Sequence, residues 1–84
     1  MITATLTVRH KLGLHARPAA MFVQTANKFK SKIQVQNATK TRGPVDAKSI
    51  LGVLTLGVVQ DDEIALSIDG PDAAEALTAL TSLI

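Results

Sequence analysis

Along the first strand-length stretch, Ile2, Ala4, Leu6 and Val8 alternate with Thr3, Thr5, Thr7 and Arg9, the period-two pattern of a strand with one buried face. The pattern returns where Ile33 and Val35 alternate with Gln34 and Gln36, and again where Ile64, Leu66 and Ile68 alternate with Ala65 and Ser67. A second face built from Thr, Gln and Ser predicts an antiparallel sheet with one side open to water, because parallel strands covered on both sides tend to be continuously apolar. Pro44-Val45-Asp46 predicts a further brief strand, and Pro44 confines it to a sheet edge because it cannot donate to a ladder on both sides.

Three stretches change period. From Pro18 to Phe29, Ala19, Phe22, Val23, Ala26 and Phe29 recur at helical spacing, with the proline suited to a first helical turn. Gly70-Pro71 followed by Asp72 and Glu75 predicts a helix start with acids in the first turn, and Ala73, Ala76, Leu77, Leu80 and Ile84 supply its apolar stripe. Between them, the stretch SILGVLTLG places Ser49 as an N-cap and Gly57 as a stop. Its Ile50, Leu51, Val53, Leu54 and Leu56 make this short helix more apolar than one sheet face can hide. Val53 and Leu56 are read as core. The element order is strand, helix, strand, short strand, short helix, strand, helix, with Asn37 to Gly43 as a polar, basic turn and no repeat or linker.

Composition adds bounds. With 84 residues and 46% hydrophobic content, the chain suits one small domain over 1–84 and is too short for two. It contains no cysteine and two well-separated histidines, so neither a disulfide framework nor a zinc cage is expected. The N-terminal residues alternate rather than forming a charged segment before an apolar run, and no apolar stretch approaches membrane-spanning length, so a soluble cytoplasmic protein is expected. The net charge of +2 conceals an asymmetry: residues 1–48 hold all nine basic side chains and one acid, a charge of +8, and the remainder carries −6. Such a basic first part suits an anionic ligand or an acidic partner surface unless the halves interleave in space.

The stretch GLHARPAA, residues 13–20, carries the candidate chemistry. A helix beginning near Arg17 and Pro18 puts His15 just ahead of it, where unpaired N–H groups and the macrodipole create positive potential. Arg17 adds a permanent cation whose planar donors match phosphate oxygens, Pro18 sets the backbone angle of the first turn, and Gly13 permits a close approach of the loop. Neutral imidazole is nucleophilic, so His15 at such a site can take a phosphoryl group. The neighbouring sequence holds no acid to activate water, and the first acid in the chain is Asp46, which favours storing the group over hydrolysing it. A polar helix flank beside a solvated cation uses the same residues, and spacing alone leaves both readings open. His10, between Arg9 and Lys11, is read as a surface residue.

GLHARPAA resembles the active-site segment of the HPr family, the histidine-containing phosphocarriers of the bacterial sugar phosphotransferase system, and KSILGVLTLG resembles that family's second signature, in the right order and over essentially the whole chain. The resemblance implies an α+β open-faced β-sandwich, with a four-stranded antiparallel sheet and three helices on one face. It implies a carrier with a transient phosphohistidine rather than an enzyme, with no cofactor and no metal. His15 matches the histidine phosphorylated at Nδ1 and Arg17 the phosphate-contacting arginine. Ser49 matches the serine that HPr kinase/phosphorylase modifies in many Gram-positive bacteria, and the modified form also partners a transcriptional regulator; as an N-cap the same serine has a structural role. Enzyme I is the implied donor and EIIA domains of sugar permeases the implied acceptors. Arg17, Lys28 and Lys48 would meet acidic partner surfaces, while Leu14, Ile50, Leu51 and Leu54 resemble the docking patch. The connection NATKTRGPVDAKS is longer than the family's usual one, with 41–44 as the extra material, which bears on the edge strand and leaves both motifs intact.

Two other function classes fit parts of the sequence. A regulatory adaptor would bind through the same surface and respond through Ser49; retention of both His15 and Arg17 argues against it. A nucleic-acid-binding domain is suggested by the basic first part, but there is no Tyr or Trp, and Phe22 and Phe29 sit at core spacing, which leaves no stacking platform. No nucleic acid and no membrane insertion are expected. A carrier that shows one small surface to several partners in turn is expected to be a monomer.

Overall fold

A computed structural model describes residues 1–9, Lys11, Gly13 and residues 16–84. His10, Leu12, Leu14 and His15 lie outside the described residues. The alternating stretches form β1 (Ile2–Thr7), β2 (Lys32–Asn37) and β4 (Glu63–Asp69), and the proline-bearing stretch forms β3 (Arg42–Asp46). The helical stretches form α1 (Ala16–Ala26), α2 (Ile50–Thr55) and α3 (Ala73–Thr81).

The four strands make one antiparallel sheet in the order β1-β4-β2-β3, which leaves β3 at an edge as its proline requires. Register brings like side chains together: Leu6 faces Ile64, Val35 faces Leu66 and Ile33 faces Ile68. A one-residue slip would turn all of them to the solvent side. These inward positions share a core with Ala19, Phe22 and Ala26 of α1, Val53 of α2, and Ala73, Ala76 and Leu80 of α3. The opposite face carries a shallow concavity of about 300 Å³ lined by Thr3, Thr5, Gln34, Gln36, Ala65 and Ser67 among others. No charged side chain lines it, and it lies on the far side of the sheet from α1 and α2.

Two boundaries differ from the sequence pattern and one agrees with it. Helix α1 stops at Ala26 instead of Phe29, because Lys28 N–H and Phe29 N–H bond three residues back, to Thr25 and Ala26 carbonyls, and tighten the chain out of the α-helix. Phe29 still packs against the core. Helix α2 ends at Thr55, before Gly57, whose φ of +58° is the left-handed value that halts a helix. Strand β3 opens at Arg42, two residues before Pro44, and its pairing with β2 shifts register between Val35 and Asn37. The long turn is tied down to β4: the Glu63 N–H donates to Thr39 Oγ1 at 2.8 Å and the Ala38 N–H to the Glu63 carbonyl at 2.9 Å.

Asp72 has a use that its helix-start position did not suggest. It makes no side-chain cap to its own helix. Its carboxylate instead accepts from Lys30 N–H at 2.9 Å, Ser31 N–H at 3.0 Å and the Ser31 hydroxyl, clamping the α1–β2 connection onto the start of α3. The Ser31 hydroxyl, and then the Lys30 N–H, hold this carboxyl below its usual value of 3.8. A depressed carboxyl contributes stability above its unfolded value and loses it as pH falls through the folded one. Asp72→Asn is therefore expected to lower the melting temperature at neutral pH, and the gap to wild type should close in acid. Thermal melts at the two pH values check this; a gap that persists in acid counts against the clamp.

Candidate functional site

Helix α1 begins at Ala16, so the residue that precedes it in sequence is His15. Its first turn holds no acid, and its free N–H groups and macrodipole leave positive potential there. Arg17, in that same turn, is exposed. A cation at a helix N-terminus works against the dipole by about 0.3–1 kcal/mol, a placement that makes sense where an anion is to be held. Pro18 sits inside the first turn, where its missing N–H would have had no helical partner. Leu14 and His15, two of the predicted site residues, lie outside the described residues.

Gly13 is buried with φ +58°. A Cβ there would lie 2.4 Å from the Val58 carbonyl oxygen and 2.7 Å from the Val59 Cα, separations that side chains do not adopt. The close approach that this glycine allows is therefore to the protein's own backbone rather than to a ligand.

Ser49 is the N-cap of α2: its φ and ψ are extended at −108° and 117°, and its Oγ accepts the Gly52 N–H at 3.2 Å. Only Val53 of this helix is buried, together with Leu56 at its C-cap, as the sequence pattern predicts. Ile50, Leu51 and Leu54 are exposed, Leu51 by 74%. Helix α1 packs against α2 and adds Met21, also exposed. Nothing in the sequence distinguished Met21 from the α1 core stripe's polar side, and only the helix's orientation shows it. The exposed large apolar side chains of these two helices are thus Met21, Ile50, Leu51 and Leu54.

The cations around them are not equivalent. Lys28 is exposed. The Lys48 ammonium instead donates to the Phe29 carbonyl at 2.7 Å, and the Asn27 amide donates to the Lys48 carbonyl at 3.2 Å. Lys48 thus ties the approach to α2 to the end of α1, and its charge is partly used inside the fold. The strand order places β4, from the acidic part of the chain, between β1 and β2 of the basic part, and among the described residues Lys40–Asp62 is the one ion pair between side chains.

That pair belongs to a buried cluster that the sequence did not reveal. Asp62 and Asn37 are both buried. The Asn37 amide donates to the Leu56 carbonyl at 3.0 Å and to Asp62 Oδ2 at 3.2 Å, while its oxygen accepts the Lys40 N–H at 3.0 Å. Burial is the largest influence on the Asp62 carboxyl and pushes it up; hydrogen bonds from Val59 N–H, Asn37 and Lys40 outweigh it, so the group lies below its usual value and is an anion at neutral pH. The available signal was an apolar strand ending on Asn37 and an acidic pair at 61–62, neither of which specifies a partner.

Among the described residues no cluster of His, Cys, Asp or Glu could hold a metal ion. No helix there is long and apolar enough to cross a membrane.

The family model described as "PTS HPr component phosphorylation site" matches residues 2–84. The phosphocarrier protein HPr of Neisseria meningitidis serogroup A is 44% identical over 84 residues, covering all of this chain and 91% of that protein. The multiphosphoryl transfer protein of Vibrio cholerae is 45% identical over 78 residues, 93% of this chain, and the chain spans 20% of its length. Among solved structures, HPr of Thermoanaerobacter tengcongensis superposes with a TM-score of 0.91 at 49% identity, over 100% of this chain and 91% of that one. The same protein in a dimer gives 0.74 at 48% identity, over 99% and 92%.

Proposed function

Because the chain belongs to the HPr family of the phosphotransferase system, whose members are phosphocarriers rather than enzymes, we propose that it carries a phosphoryl group on His15. In this reading the neutral ring attacks phosphorus through the Nδ1 lone pair, a P–N bond forms, and the bond from phosphorus to the donor breaks. Transfer to the acceptor reverses the sequence, and no water enters. Arg17 donates to the phosphoryl oxygens, where a charge-assisted, two-pronged contact is stronger than a neutral one. Phospho-enzyme I, charged by phosphoenolpyruvate, is the donor, and EIIA domains of sugar permeases are the acceptors, all in the cytoplasm.

The observation that carries this reading is the acid-free first turn of α1 with exposed Arg17 in it, directly after a histidine in a chain whose residues 2–84 match the family model. Docking uses the apolar patch of Ile50, Leu51, Leu54 and Leu14, with Lys28 and Arg17 facing acidic partners and Lys48 in a lesser part. A kinase/phosphorylase acting on Ser49 would switch docking off, and the modified form would engage a transcriptional regulator. Transfer proceeds from the monomer, since the patch must be open to each partner in turn.

Incubation with phosphoenolpyruvate, magnesium and enzyme I from the same host, followed by intact-mass analysis, tests the proposal. One acid-labile phosphate per chain is expected. A folded wild type that gains no phosphate would sink the carrier reading and favour an adaptor acting through Ser49.

A further inference from the structure

The segment that leads from β1 to α1 rests on one turn at both of its described ends. Val8 N–H donates to the Asp62 carbonyl at 2.9 Å, and Asp61 N–H returns to the Val8 carbonyl at 2.8 Å. At the other end, Gly13 lies so close to Val58 and Val59 that no Cβ could be accommodated. The turn itself is held from within by a side chain. Asp62 Oδ2 receives the Val59 N–H at 3.1 Å, the Asn37 amide at 3.2 Å and the Lys40 ammonium at 3.3 Å. The same two side chains also hold the end of α2, Asn37 through the Leu56 carbonyl and Lys40 through the Gly57 carbonyl. One oxygen therefore joins the hairpin after β2, the end of α2 and the floor under the segment before α1.

We infer that Asp62, held by Asn37 and Lys40, is a positioning residue for phosphoryl transfer: it fixes the 58–62 turn, and through Val8 and Gly13 that turn sets where the segment before α1 presents the phosphoacceptor. Asp62 itself touches no reacting atom. A buried carboxylate oxygen that gathers three donors suits this role, because it ties the Val59 N–H of the turn to Asn37 and Lys40, and its loss leaves that N–H without its partner.

The inference rests on His15 being the phosphoacceptor, so the test includes a readout independent of phosphate. Wild type, Asp62→Ala, Asp62→Asn and a control in the α3 core, Leu80→Val, are compared after circular dichroism confirms that each is folded. In amide hydrogen exchange, Asp62→Ala is expected to speed exchange at Val8 and Asp61 by about tenfold or more relative to Leu66 in β4, a local opening that the control does not produce. In transfer from phospho-enzyme I, Asp62→Ala is expected to lower the maximal rate by roughly tenfold to a hundredfold with KM for enzyme I unchanged. Asp62→Asn, whose amide oxygen can still accept the Val59 N–H, recovers most of that rate, and Leu80→Val matches wild type. Should Asp62→Ala not fold, Lys40→Met, which removes one of the three donors, is used with the same expected ordering. Unchanged local exchange overturns the inference whatever the transfer rates, and so does loosened exchange with wild-type transfer. An inert wild type removes the carrier reading and the inference with it, and is distinguished from the other failures because the unmodified chain is then silent.

Discussion

His15→Ala is expected to take up no phosphoryl group from phospho-enzyme I under conditions that load the wild type fully. The argument is one of chemistry: transfer needs a nitrogen lone pair at that position, and alanine offers none. The companion substitution separates the nucleophile from its electrostatic support. Arg17→Ala keeps the nucleophile and is expected to slow transfer by about 10²-fold, the usual scale for removing one charge-stabilising donor from a reacting group. Arg17→Lys should recover part of this, since the charge returns but the planar pair of donors does not. Intact mass and a rate measurement with labelled donor check all three proteins. Phosphate on His15→Ala would move the acceptor to another residue, and a wild-type rate in Arg17→Ala would return that arginine to the status of a solvated cation. Since Arg17 is exposed and opposes the dipole of α1, its loss should leave the fold unharmed, so a lowered rate would report on transfer.

The second large effect concerns Ser49, where two roles can be separated by choice of substituent. Its Oγ accepts the Gly52 N–H as the cap of α2, so Ser49→Ala is expected to cost about 1 kcal/mol of stability and leave transfer nearly unchanged. Aspartate is as good a cap as serine, so Ser49→Asp should keep the stability. It also sets a negative charge beside exposed Ile50, Leu51 and Leu54, facing partners expected to be acidic. Like charges brought together at an interface cost several kcal/mol, and at about 2.7 kcal/mol this amounts to roughly 10²-fold in binding. The rise should appear in KM for enzyme I rather than in the maximal rate, because the charge disturbs docking and not the reacting atoms. Salt should reduce the effect. Wild-type KM in Ser49→Asp would show that the patch beside α2 is not where partners dock.

Helices α1 and α2 make plain how a surface can be half legible. The apolar excess of the α2 stretch showed in the sequence that some of it must stay outside, and Val53 and Leu56 could be assigned inward by period. Met21 could not be assigned to the patch, because nothing local says which neighbour its side of α1 will meet. Lys48 reads as a cation free for partners until folding brings the Phe29 carbonyl within 2.7 Å of its ammonium.

The sequence by itself determined what depends on near neighbours in the chain: three alternating strands, a helix beginning near Arg17, the cap at Ser49, the edge position of Pro44, and the residue types of a phosphoacceptor segment. Each follows from side-chain period, backbone angle or a hydrogen bond spanning a few residues. Only the tertiary structure decided the strand order, the seat of Gly13 against Val58 and the clamp from Asp72 to Ser31. It also decided the convergence of Asn37, Lys40 and Asp62, the first and last of these 25 residues apart in the chain. Such contacts are made between residues whose local environments are silent about one another, and a polar side chain reveals its partner only once burial has removed water as the alternative.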